Sequence, residues 1–166
     1  MSGGTHGSAD GGDDGDARRR ALAVLLARVV LGLIFFQAGC WKVFVLTPAG
    51  HARKYFLPFS DTFLPVWSLW TMGVTIPFAE LLGGFLVLVG LFTTAGLSML
   101  GAVLCVVTFG HLLHDPLYAF HEHVIPRLAL TLLVLALPRS WDRWSLDHWR
   151  GLRRGAPAPR LEAPAD

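Results

Sequence analysis

The sequence is poor in charge. Asp, Glu, Lys and Arg make up 16% of its 166 residues, against about a quarter in soluble domains, and they crowd toward the two ends. A water-soluble globule of this size is therefore excluded, because its surface would need the missing charges. The net charge of +2 is too small for a nucleic-acid surface, so no nucleic-acid partner is expected. No internal repeat is visible. The apolar runs lack the period-2 alternation of strands and are too long for them. No flavin, nicotinamide or haem motif is present, so any electrons must come from a substrate or a partner.

What the chain does have is apolar sequence: 53% of residues are hydrophobic and mean hydropathy is +0.50. Apolar runs cover about residues 21–46, 67–92, 95–113 and 119–137. About twenty helical residues cross a hydrocarbon core. The first three runs are comfortably that long; the fourth is weaker, with Pro126 and Arg127 in its first half. The expected fold class is all-α, an antiparallel bundle of four transmembrane helices within residues 18–150. Residues 1–17, rich in Gly and Asp, and 151–166, rich in Pro and Ala, read as disordered tails. The segment "LFTTAG" makes a tight turn, so the second and third spans should form a hairpin. Six Trp and eleven Phe can supply aromatic belts at both interfaces.

Arg18 to Arg20 precede the first span and six arginines follow the fourth, whereas the long loop after the first span has only Arg53 and Lys54. Positive-inside logic then places both termini in the cytoplasm, in a multi-pass protein of the bacterial cytoplasmic membrane. "RRRALAVLLARVVLGLIFFQAGC" also has the outline of a lipoprotein signal. Gln37, the interrupting Arg28 and the run-on past Cys40 favour an uncleaved helix instead.

Ionisable residues inside the spans are the informative ones. Glu80 lies near the middle of the second span, Arg28 in the inner half of the first and Arg127 in the outer half of the fourth. Lys42, His111 and His114 lie near the outer ends of their helices. A carboxylate in hydrocarbon costs at least a few kcal/mol unless it is paired, and Arg28 and Arg127 are the candidate partners for Glu80. Arg28, Gly32, Phe35, Gly39 and Lys42 share one stripe of the first helix, and Glu80, Gly83, Gly84 and Val87 share one of the second, where Pro77 can bend the chain. The glycines should let helices approach closely. On the third helix Gly101, Cys105 and Thr108 share a face. These charges either lock the register of the bundle or line a polar pocket for a small molecule.

His111 and His114, with His121 and His123, can be weighed as metal or haem ligands, but no third ligand is fixed and no zinc spacing is matched, so no metal is expected. Cys40 and Cys105 are a possible redox pair or, more simply, small apolar fillers.

"LARVVLGLIFFQAGCWKVF" resembles the first helix of DoxX/DoxD-type membrane proteins through Arg28, Gly32, Gly39 and Lys42. "PFAELLGGFLVLVGLFTTAG" is similar to their second-helix pattern through Glu80, Gly83, Gly84, Gly90, Leu91 and Thr93, and "DRWSLDHW" resembles their Ser-Leu-Asp tail at Ser145, Leu146 and Asp147. The resemblance spans about residues 20–150 and departs from the family pattern at the His-rich "HLLHDPLYAFHEHVIPRL". It implies a four-helix membrane bundle. Some such proteins are linked to quinone-dependent oxidation of sulfur compounds, others to oxidative-stress complexes with soluble redox partners. The leading functional expectation is a redox-linked, quinone-interacting membrane subunit. Glu80 and His111 would be its proton-handling, catalytic groups, and Arg28, Lys42, His114 and Arg127 its quinone-binding ones. Besides the lipid bilayer, a soluble redox partner or second membrane subunit is expected. The rival readings are a non-catalytic scaffold or accessory subunit, and a small-molecule transporter that works as a homo-oligomer.

Overall fold

A computed structural model describes residues 10–114 and 124–155, with side-chain surroundings for 14–113 and 124–152. Among the described residues all regular structure is helical. Helix α1 (Asp10–Cys40) begins inside the segment read as a tail and passes into one π turn, Trp41–Val45. Helix α2 (Pro48–Tyr55) and a 3-10 turn (Leu57–Asp61) fill what the sequence offers as a loop. Helix α3 (Val66–Val89) and helix α4 (Thr93–His114) form the expected hairpin. Helix α5 (Ile125–Ala136) is short, and helix α6 (Leu146–Gly155) follows a 3-10 turn at Arg139–Trp141.

Three helical stretches are long and apolar enough to cross a bilayer: Asp14–Val45, Val66–Val89 and Thr93–Leu113. The fourth apolar helix has only the 12 residues of α5, about 18 Å at the rise of a helix. Residues 119–123 of the expected fourth span lie outside the described residues, as do His121 and His123.

Helix α3 is the hub, packed on α1, α2 and α4, while α5 bridges α1 and α4. The α1–α3 contact is a glycine seam. A Cβ on Gly32 would stand 2.7 Å from Leu88 Cα; one on Gly39 would strike the backbone of Leu81, and one on Gly84 the backbone of Phe36. The two stripes read from the sequence face inward here: Arg28, Gly32, Phe35 and Gly39 are buried on α1, with Lys42 half-buried, and Glu80, Gly83, Gly84 and Val87 are buried on α3. Leu97, Leu100 and Leu104 of α4 complete the core.

The Gly101–Cys105–Thr108 face of α4 does not turn inward. Cys105 is exposed and a Cβ on Gly101 would meet nothing within 4 Å. Helix α4 packs through its leucines and, near its start, through Gly96, where an added Cβ would lie 3.1 Å from Val87, so among the described residues Gly101 and Cys105 mark no close approach.

Helix α3 stops in a Schellman turn. Gly90 adopts φ 71°, and Leu91 N–H donates to Leu86 O at 2.9 Å. A side chain at Gly90 would be strained by this backbone and would collide with Arg28 and Ser145.

Candidate functional site

The buried charges separate into two clusters at opposite ends of the α1–α3 pair. In the one near the C-terminal end of α1, Glu80, 3% exposed, accepts a hydrogen bond from Lys42 Nζ at 2.6 Å. This corrects the sequence-based pairing: neither Arg28 nor Arg127 reaches Glu80. The reason lies in side-chain direction. Helical side chains lean toward the N-terminus of their own helix. Helices α1 and α3 run antiparallel, so Lys42 leans back along α1 and Glu80 leans along α3 to meet it. Lys42 sits on the π turn, where Leu46 N–H donates to Trp41 O at 3.0 Å. Such turns are frequent at functional positions.

A third member of this cluster carries no sequence flag. His51 of α2 is 3% exposed, and its Nδ1 lies 2.7 Å from Gly73 O on α3. A carbonyl only accepts, so Nδ1 bears the proton and donates, leaving Nε2 as the basic atom of the neutral ring. Burial holds the imidazole pKa below its ordinary value of 6.5. The hydrogen bond to Gly73 opposes that shift and the positive charge of Lys42 adds to it. Tyr55 and Phe56 flank the ring, with centroids 5.2 and 5.5 Å away. Gly73 makes the close approach possible, since a Cβ there would lie 2.6 Å from Ala52 Cα. The signal for α2 was present in the sequence: Thr47 accepts from Gly50 N at 3.1 Å and Pro48 follows at the first helical position. Arg53 stacks over Trp70 at 5.8 Å and holds α2 against α3.

Arg127 is half-buried, with its guanidinium 5.9 Å from the Phe35 ring centroid. It faces the same α1 stripe as Lys42, about two turns nearer the N-terminal end of α1. His111 is half-buried on α4. Counting rise from the hairpin turn puts it about level with Gly73, hence with His51. His114 ends α4, and its side chain lies outside the described ones. No group of three metal-ligating side chains occurs among the described residues. An open apolar groove of about 540 Å³, lined by Phe36, Cys40, Phe44, Phe78 and Phe85, runs along the same helix pair. At 100° per residue it opens away from Lys42 and Glu80.

Arg28 belongs to the other cluster, at the α3–α4 turn. Its guanidinium, 1% exposed, donates to Val87 O and Leu88 O at 2.9 Å each and to Trp144 O at 3.1 Å. Its Nε stands 3.4 Å from Asp142 Oδ1. It thus satisfies carbonyls at the C-terminal end of α3, where a cation suits the helix dipole. Asp147 does the converse for α4: its carboxylate accepts from Phe92 N and Thr93 N, both at 2.9 Å, and from Thr93 Oγ1 at 3.2 Å. Desolvation pushes the Asp147 carboxyl up, but the bonds from Thr93 and Phe92, with the charge of Arg139, hold it below 3.8. Sequence reading gave this capping role to no residue, because the acid that caps α4 lies more than fifty positions downstream of it.

The Lys42–Glu80 cluster holds ionisable groups within an apolar bundle; the Arg28 cluster fastens backbone ends. The DoxX family profile matches residues 23–114, from α1 to the end of α4. No curated protein and no solved structure matches the chain. With the match covering more than half of the 166 residues, and with its apolar helices, this chain is an integral membrane protein that belongs to the DoxX family.

Proposed function

We propose that this protein is the membrane subunit of a redox system that reduces quinone, with the cluster of Lys42, Glu80 and His51 handling the protons. The observation that carries the reading is the Lys42–Glu80 bond of 2.6 Å, buried beside His51 within apolar helices. A pair kept only for stability is replaced by apolar side chains at little or no loss, whereas ionisable groups at membrane depth mark ligand and proton pathways. Reduction of a quinone to a quinol takes two electrons and two protons, delivered to carbonyl oxygens in a dry site. Lys42 has two further N–H donors after serving Glu80. Glu80 and His51 Nε2 can each pass a proton, and Arg127 and His111 supply further polarity along the inward faces. The electrons come from a reduced soluble partner or an oxidisable sulfur compound. Four crossings and cytoplasmic termini in a bacterial inner membrane agree with the distribution of arginine.

Titration of the detergent-purified protein with a short-chain quinone is expected to quench tryptophan fluorescence and raise the melting temperature, and Glu80→Gln should weaken both. Unchanged fluorescence and melting in the wild type would count against the reading. The accessory-subunit alternative is favoured by one observation, the purely structural use of Arg28. Full function of the Glu80→Gln protein, together with a stably co-purifying partner, would decide for it.

A further inference from the structure

Neither cluster uses the exposed flank of α6. The sequence of this helix, LDHWRGLRRG, is strongly one-sided. One edge is tied to the α3–α4 turn: Asp147 N–H donates to Gly90 O at 2.9 Å while its carboxylate caps α4. Ser145 Oγ starts the helix by accepting from His148 N at 3.2 Å. On the flank away from Asp147, Leu146, Trp149 and Leu152 recur every three residues and are 48, 59 and 63% exposed. Phe92 of the turn is exposed too, on the Asp147 side, and Arg150 stands 5.0 Å over its ring.

Charge points the same way. Arg139, Arg143 and Arg150 are exposed, and the helix also carries Arg153 and Arg154. The acids of the segment are already engaged, Asp142 with Arg28 and Asp147 with the α4 amides. Among the described residues the exposed surface here carries more arginine than acid, with Asp147 facing Arg139. Depth follows from the hydrogen bonds. Helices α3 and α4 both end at this turn, so the hydrocarbon ends there too. The headgroup layer beyond it is about 5–7 Å thick, less than the diameter of a helix, so a helix bonded to the turn lies in that layer. Low overall hydrophobicity with Leu and Trp on one flank and arginine beside them is the composition of helices that lie in this zone.

We infer that α6 is an interfacial helix whose Leu146–Trp149–Leu152 stripe rests on the acyl boundary of the adjoining leaflet and whose arginines bind anionic phospholipid headgroups. This rests on membrane insertion and not on the quinone reading. The test places the full chain in nanodiscs of phosphatidylcholine, with or without phosphatidylglycerol. An environment-sensitive fluorophore is carried at Leu152→Cys, in a Cys40→Ala, Cys105→Ala background. With phosphatidylglycerol the probe should turn blue and resist iodide, and amide exchange across α6 should slow. The variants Arg143→Gln and Arg150→Gln should each remove roughly fivefold of that protection, as should raised salt, while α3 amides stay unchanged as a folding control. Equal protection in both lipids overturns the headgroup assignment. A probe open to iodide in both overturns the interfacial helix, and points to a flank that faces water and awaits a soluble protein.

Discussion

Lys42 and Glu80 each need the other. Removing one leaves a lone charge in an apolar bundle, which costs about 3–5 kcal/mol for a buried pair; Lys42 keeps 20% of its side chain exposed, so its loss of Glu80 falls at the low end. Lys42→Met and Glu80→Gln should therefore each lower the melting temperature strongly. The double variant should recover most of the loss, a coupling that a double-mutant cycle in detergent measures directly. His51 adds a pH dependence. Its pKa is depressed in the folded protein, so the unfolded chain binds the proton more readily. Its contribution is complete above 6.5 and is lost as pH falls toward the lower folded value. Thermal melts of the wild type should show this loss and His51→Phe should not. Glu80 was legible because a lone acid in an apolar run has no other explanation. Its partner was not, because counting rise along an axis ignores the lean of side chains, which brings Lys42 to Glu80 and carries Arg28 away from it. His51 was illegible because run length says nothing of short helices between spans.

Helix contacts were read well where glycine meets a backbone and poorly elsewhere. Gly32, Gly39 and Gly84 lie on the stripes the 3.6-residue period marks out, and the structure uses them for the α1–α3 seam. The same logic misplaced α4, because Gly101 and Cys105 are small residues with nothing packed on them. Spacing reveals a face; it does not reveal whether another element reaches that face. The pair of cases gives a controlled prediction. Gly84→Ala drives a methyl into the Phe36 backbone and should cost about 1–3 kcal/mol or more, as overpacking does. Gly101→Ala should be neutral or slightly stabilising, by up to about 1 kcal/mol from helix propensity. Melting temperatures of the two purified variants, measured in one detergent, check this. Equal losses would mean that the α1–α3 seam is not where the bundle is tightest.

At the scale of the whole molecule, the downstream segment 139–155 closes the hairpin that begins it. Arg28 meets the negative end of α3 and Asp147 the positive end of α4, so each helix dipole finds its counter-charge in a residue remote in sequence. The Ser-Leu-Asp resemblance is thereby given a physical role: Ser145 starts α6 and Asp147 caps α4. The carboxylate form is what the cap requires. Because the folded Asp147 holds its proton less tightly than the unfolded one, its stabilisation is present above 3.8 and disappears as pH falls through the folded value. Asp147→Asn keeps one acceptor oxygen but loses the charge, and should cost about 0.3–1 kcal/mol at neutral pH, the worth of an anion at a helix N-terminus. The wild-type and variant stability curves should then converge on acidification, once the wild-type carboxylate is protonated. A gap that stayed constant through the acid range would show that the shape of the side chain, and not its charge, joins the tail to the bundle.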